Sequence, residues 1–504
     1  MAGRFRKLLD EVFGNSGEKT VAPPPASHSE RREAASPGKP PQPLRSPGRE
    51  PFLVQIGLDF GTAFSKCVCR DLELGEKTWL YFPEDPCDSK RPFLVSSSIV
   101  FEDGVLSHPS GLTGSYSKNG LNHVKMALEK VSLKNWDDPV LDSFREACPG
   151  SSNDQLSRFV EGCAVYLLAG ILGGVQADVK SRFPGEVEGD YMAVNMAVPA
   201  ADADHPEVDA AFNRVLRMAW VIADQFAGFP PLAWKDLDEG MTANLPVAQT
   251  EEVKEACFLY PEVSANVQCF VRSRASQEGI YLFSDTGAGT VDQSVFIFTR
   301  RNGREQLTYL DAAVLPLGSS HIERIAAGNA ANWNLLEGLR RIKEGRIKAE
   351  SANVVKRLKA ARGEIGSKLL NGTTCTVRSG KGKLIRSQQI NDLKILFGGG
   401  GHCEMPYAKS ALKVFESGVI HPDAVNDRKR SGGFFDIGLP VPDDLDLKPD
   451  QEDWISRLTV AYGLSFQKDE LATFVLPREV EPPTPDEVWQ PKRTSRTAPS
   501  KDDC

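Results

Sequence analysis

Apolar residues along this chain gather into short runs with two different spacings. "LVQIGLDF" (53–60), "YMAVNMAVPA" (191–200), "GIYLFSDTG" (279–287), "SVFIFTR" (294–300) and "LKILFGGG" (393–400) are compact apolar runs, and each predicts a buried strand. Between them, residues 155–180, the stretch after Glu207 through Phe226, and a long charged segment from Ile322 to Leu370 carry a helical pattern. The longest apolar run, "GCAVYLLAGILGGV" (162–175), is too short to cross a bilayer and contains four glycines, which predicts a buried core helix. Strands and helices alternate from Phe52 to about residue 470, so α/β layers are expected.

The two ends break this pattern. Residues 4–13 set Phe5, Leu8, Leu9, Val12 and Phe13 at helical spacing against Arg4, Arg6, Lys7, Asp10 and Glu11, a short amphipathic helix. The segment that follows, to about residue 50, is too rich in Pro, Ser and charge to pack, and "PREVEPPTPDEVWQPKRTSRTAPSKDDC" after Leu476 is similar. The expected organisation is a helix plus disordered tether over 1–51, one globular α/β domain over 52–470, and a disordered charged tail over 471–504. The first helix reads either as a segment that frays in water or as a docking element for a protein partner or a membrane surface.

Composition narrows the function classes. An apolar fraction of 40% over 504 residues supplies a large core, and a net charge of −8 gives no electrostatic reason to expect nucleic acid. The 10 cysteines are scattered with no C-x-x-C pair, and the N-terminus has no continuous apolar signal region, so reduced thiols and a cytoplasmic location are expected. The 7 histidines show no zinc-ligand spacing; a metal, if used, is oxygen-bound.

Chemistry enters at the strand ends. "IGLDFGTAFSKCV" (56–68) leads an apolar strand into Asp59, Gly61, Thr62 and Ser65, and "YLFSDTGAGTVDQSVFIF" (281–298) echoes it with Asp285, Gly287, Gly289, Thr290 and Asp292. Taken singly, each is equally a hairpin with a glycine-rich turn. As a pair they can grip a polyphosphate from opposite sides. Glycines let backbone N–H groups approach the oxygens, carboxylates hold magnesium, and threonine hydroxyls add directed hydrogen bonds. A third element, "LKILFGGGGHCEMPYAKSAL" (393–412), runs a strand into four glycines on which a base or phosphate can lie. It lacks the G-K-[ST] ending of a P-loop and the G-x-G-x-x-G spacing of a dinucleotide fold.

In this order the motifs resemble the actin-like ATPase superfamily and, within it, the ATPase domain of DnaK-type heat-shock chaperones. "LDFGTAFS" looks like the first phosphate loop of that family, "DTGAGTVD" like the second, and "LFGGGGHCEMP" like its adenosine loop. "MAVPA" (196–200) with "YPEVSANV" (260–267), and "RLTVAYGLSF" (457–466), match its connecting segments, so the resemblance runs from about Val54 to about Phe466. It implies two lobes, each a mixed β-sheet flanked by helices, with ATP or ADP and Mg2+ in the cleft between them. Asp59 and Asp285 would face the water-coordinated magnesium with Asp292 close by. Thr62 and Thr290 would meet the terminal phosphate, and Glu262 would position water or metal. Gly61, Gly287 and Gly289 would present backbone to phosphates, Gly318 would form a further phosphate-side turn, and Gly399, Gly400 and Gly401 would flank the adenosine. Glu364 with Lys368 is a candidate pair for adenine and ribose, or else a solvated i,i+4 ion pair.

The chain also departs from the family. Ala63 and Phe64 stand where a hydroxyl or amide neighbour is usual, Ala288 replaces a glycine, and Glu404 lies where a basic residue often stacks on adenine. Too few residues follow Phe466 for the chaperone's peptide-binding domain, so a client is expected to contact the ATPase domain, its tails or another protein. Matching "VKMALEK" to the family's helix puts the lysine that assists hydrolysis near Ser110 or Gly111, where there is none. Lys118 reads as a surface lysine, which leaves slow turnover or a binding switch as the expectation. Alternatives of other classes are an actin-like filament or membrane-recruited scaffold, and a small-molecule kinase.

Overall fold

The structure is a computed structural model and describes residues 49–72, 77–109, 116, 118–198, 205–226, 228–273, 276–301, 303–330, 332–349, 351–402, 405–416, 418–420, 439–445, 447–467 and 470–483. The N-terminal helix and most of the two Pro-rich segments lie outside these residues. All sheets belong to the body formed by Phe52–Gly185 and the chain from Asp190 onward, which is mixed α/β.

The first large sheet grows from a hairpin. β1 (Leu53–Asp59) and β2 (Phe64–Asp71) pair antiparallel, β3 (Lys77–Leu80) continues beside β2, and the two-residue β4 (Val95–Ser96) also pairs with β2. A small sheet follows, made of β5 (Ile99–Glu102), β6 (Val105–Ser107), β7 (Gly120–Leu121) and β9 (Leu232–Ala233). β8 (Tyr191–Val198) runs parallel to β1 and β10 (Cys257–Pro261) parallel to β8, giving the order β10-β8-β1-β2-β3. The second large sheet repeats the plan. β11 (Gly279–Thr286), β12 (Val291–Arg301) and β13 (Arg304–Leu315) form an antiparallel meander, and β14 (Lys394–Gly398) lies parallel to β11 on its other side.

Burial follows from the apolar runs. β1 and β11 are buried almost throughout, as central strands covered on both faces are. The helix Asn153–Arg182 begins at a capping box in which Ser152 Oγ accepts from the Gln155 amide and Gln155 Oε1 accepts from the Ser152 amide. It is the one helix among the described residues apolar and long enough to span a membrane, and 89% of its most apolar window is buried inside the fold. On the other side of the first sheet, the helix Ile455–Leu464 crosses β1 at Gly57, where a Cβ would stand 2.0 Å from the Ala461 carbonyl oxygen. Buried Arg70 of β2 pairs with Asp444 at 2.6 Å and lies 3.8 Å over the Phe466 ring, fastening this late segment to the sheet.

Two expectations change. The segment 322–370 is three helices, Ser320–Ala327, Trp333–Lys343 and Ala352–Gly382, the last reaching well beyond Leu370. Gly328 and Gly345, with φ of 60° and 72°, turn the chain out of the helical path, and the side chains of Asn332 and Ser351 cap the next starts. The periodicity bridges the breaks because Ile322, Leu339, Leu358 and Ile365 enter one shared cluster. The second is the tail. Leu471 and Ala472 are buried and β15 (Thr473–Val475) pairs parallel to β13, so the packed region continues past 470.

Gly57→Ala should lose about 2 kcal/mol or more in chemical denaturation, since the added methyl meets backbone that cannot yield. Gly363→Ala, in open space on the helix Ala352–Gly382, should instead gain up to about 1 kcal/mol.

Candidate functional site

The two hairpins deliver their acids to equivalent places. Asp59 ends β1 opposite Lys66, and Asp285 near the end of β11 stands opposite Asp292. Both turns open on one cavity of about 350 Å³ that Gly61, Thr62, Gly287 and Thr290 help to line. The turns also approach each other: a Cβ on Gly289 would stand 2.9 Å from the Thr62 methyl and 2.4 Å from Met126 Sδ. Gly318 braces the second turn from behind rather than lining the cavity. Its amide donates to the Gly289 carbonyl at 3.1 Å, and the amides of Ser319 and Ser320 donate to Gly287 and Ala288 at 3.0 and 2.9 Å.

β14 brings the third glycine turn to the same cavity, because its Gly398 is in register with Asp285. Gly399 has φ +73°, and a Cβ there would stand 2.1 Å from Asp285 Oδ1, so only glycine passes so close to the acid. The Gly401 amide donates to Thr286 O at 2.9 Å, and Arg457 Nη2 donates to Gly400 O at 3.1 Å. Gly399, Gly400 and Gly401 all line the cavity.

Seven carboxylates line it: Asp88, Glu129 and Glu344 are ion-paired with Arg91, Lys130 and Arg340, while Asp59, Glu262, Asp285 and Asp292 act on one another. Lys66 Nζ is ion-paired with Asp59 Oδ2, and Lys125 Nζ reaches Glu262 Oε2 at 2.5 Å. Asn266 Nδ2 donates to Asp285 Oδ2 while its own carbonyl accepts from the Thr459 hydroxyl, and Thr290 Oγ1 donates to Asp292 Oδ2 at 3.1 Å. Burial, then the neighbouring Glu262 and Asp59, push the Asp285 carboxyl up from 3.8 to about 7. Burial, Glu262 and Asp285 hold Asp292 well above the usual carboxylate range. Burial would lower the Lys125 ammonium, but the carboxylates of Glu262 and Asp59 override it and hold it above the usual lysine range.

Asp59 Oδ1 and Asp292 Oδ1 are buried without a hydrogen-bond partner. Such oxygens fit a magnesium ion reached through its water shell. Among the described residues no three His, Cys, Asp or Glu side chains converge closely enough to hold a bare ion.

Most of the expected residues therefore gather here, but not all. Glu364 and Lys368 form an exposed i,i+4 ion pair at 2.7 Å and do not line the cavity, so the solvated reading of that pair is the one the structure has. Glu404, Ser110 and Gly111 lie outside the described residues. Lys118 is exposed, as a surface lysine would be. The loop position matched to the lysine that assists hydrolysis is among those outside the described residues; the lysines that line the cavity are Lys66, Lys125, on the helix Val124–Ser132, and Lys343. Lys125 carried a signal in the sequence, since it sits beside Val124, Ala127 and Leu128 on the buried face of that helix. Asn266, Thr459 and Arg457 lie in the segments 260–267 and 457–466 that resemble the family's connecting segments, but none was singled out as a residue, because only tertiary packing brings them to the acids. No family model matches the chain, and no curated protein is significantly similar to it.

Because the folded-state pKa of Asp285 lies above its ordinary value, the protonated form is favoured by folding. That stabilisation is complete below about pH 4 and is lost as pH rises towards 7. Asp285→Asn should therefore melt several degrees above wild type at pH 8 without ligand, and the gap should close by pH 4; thermal denaturation across this range checks it.

Proposed function

We propose that the chain is an ATP-binding protein of the actin-like, DnaK-type kind, a nucleotide-dependent conformational switch that hydrolyses Mg-ATP. One observation carries this reading. Two glycine-threonine turns, from two sheets built on the same strand plan, open on a single cavity whose lining includes Asp59, Glu262, Asp285 and Asp292 with Lys66 and Lys125. In this reading each large sheet is the centre of one lobe and the nucleotide lies between them. The triphosphate rests against Gly61–Thr62 and Gly287–Thr290, and the nucleoside lies along Gly399–Gly401.

Asp59, Asp285 and Asp292 would hold a magnesium ion through its waters; when bound, the ion neutralises phosphate charge. The chain's own groups do the rest. Lys125 fixes the Glu262 carboxylate, whose other oxygen, without a partner among the described residues, can orient a water, and the Lys125 ammonium stabilises charge building on the terminal phosphate. Closure of the two turns on the ligand, and their release after hydrolysis, is the switch. The N-terminal amphipathic segment would recruit the protein to a partner or client protein, or to a membrane surface, in the cytoplasm.

Calorimetric titration should show ATP and ADP binding in the presence of Mg2+. A folded Asp59→Ala, Asp285→Ala double variant with unchanged affinity would refute the assignment. In single-turnover hydrolysis, Lys125→Met should lower the rate on the order of a hundredfold with a small change in affinity. Lys118→Ala should leave that rate as it is, and the reverse result would move the charge-stabilising role away from Lys125.

A further inference from the structure

A second cavity, of about 870 Å³, lies apart from the glycine turns, and among the described residues none lines both. Its lining comes from two stretches of chain. One is the turn between β5 and β6, the strand β7 with the residues around it, and the helix Asp142–Ala147; the other is Arg324 and the first turn of the helix Trp333–Lys343. The charged lining is Glu102, Asp103, Asp142 and Glu146 against Lys118 and Arg324. Glu102 accepts from the Asn119 amide at 3.1 Å. Arg145 stands 3.9 Å from Asp142, but both side chains are exposed, and water leaves such a pair weak. Negative charge is therefore in excess, which alone would mark only a solvated face.

Two buried oxygens and an aromatic face say more. Tyr116 is 4% exposed and lines the cavity; its hydroxyl has Ser320 and Arg324 as neighbours yet makes no hydrogen bond of ordinary geometry among the described residues. Asn122 donates its amide to the Gly120 carbonyl at 3.3 Å, while its Oδ1 is buried without a partner. A buried oxygen left this way costs about 1–3 kcal/mol, and both can accept from an N–H donor. Trp333, the first residue of its helix, keeps its side chain 46% exposed on the same cavity. An indole face among carboxylates attracts a cation. The acids are spread along the lining, and among the described residues no three converge to hold a metal ion. Charges spaced in this way suit a ligand whose own charges are spaced.

We infer that this cavity binds a linear polyamine, a chain of ammonium groups joined by methylenes. Its N–H donors meet the carboxylates and the oxygens of Tyr116 and Asn122, and its methylenes lie along Trp333 and Leu336. The site stands or falls independently of the nucleotide reading.

The test is calorimetric titration of full-length protein with spermidine in about 150 mM salt, where loose surface attraction is screened. Wild type should bind at one site. Trp333→Ala, and separately the Asp142→Asn, Glu146→Gln double variant, change exposed side chains and should each weaken binding about tenfold. Tyr116→Phe should weaken it about fivefold yet melt no lower than wild type, because it removes a hydroxyl that has no partner in the free protein. Magnesium chloride at equal ionic strength should leave the spermidine affinity in place. Absence of binding by wild type overturns the site. So does full displacement by magnesium, which would show a diffuse acidic surface, and so does unchanged affinity in folded Trp333→Ala and Tyr116→Phe.

Discussion

Taking a carboxylate out of water costs several kcal/mol unless cations or hydrogen-bond donors replace the solvent. In this protein seven carboxylates line one cavity, and much of the surrounding architecture answers that cost. Lys66 and Lys125 match Asp59 and Glu262, while Asp285 and Asp292 keep a bias towards their protons. Asn266 donates to Asp285 because Thr459, on the helix Ile455–Leu464, holds its carbonyl. A helix that covers the first sheet is thereby tied to the acid at the end of a strand in the second. An anion can enter such a cavity only where resident or bound cations outweigh the acids, and this is why lysines and metal carry so much of the chemistry proposed for it.

How much was legible in the sequence depended on the range of the interaction. The hairpins and their acids were visible because a strand, a glycine turn and a returning strand lie within a dozen or so residues and use local backbone rules. Fold class followed from alternating periods for the same reason. The breaks at Gly328 and Gly345 were hidden: three helices that feed one apolar cluster keep a common periodicity, and a lone glycine inside a helical pattern is a weak stop signal. β15 was hidden too, since a three-residue strand is recognised by its partner β13 and not by its own composition.

The site shows the same division. Asp59, Thr62, Asp285, Thr290 and the glycines at 399–401 announced themselves by spacing. Lys125 is less conspicuous, because a lysine within an amphipathic helix reads as part of the solvated face until the fold turns it into the cavity. Lys66 is inconspicuous in "FSKCVC", and its meaning comes from the cross-strand register that sets it opposite Asp59. The bland reading of Glu364 and Lys368 was available from their i,i+4 spacing alone.

The clamp at Arg70 bears on the order in which the chain can be assembled. Arg70 belongs to the second strand of the first hairpin, yet it is completed by Asp444 and Ser465, separated from it by 374 and 395 positions. Gly57 likewise awaits the helix Ile455–Leu464. A guanidinium this deeply covered cannot reach its final surroundings while those residues are still being synthesised. One face of the sheet that β1 and β2 begin must therefore stay open until the segment 444–465 has emerged. The apolar side chains waiting there, Val68 and Leu80 among them, make nascent chains the form of this protein most in need of shielding from aggregation.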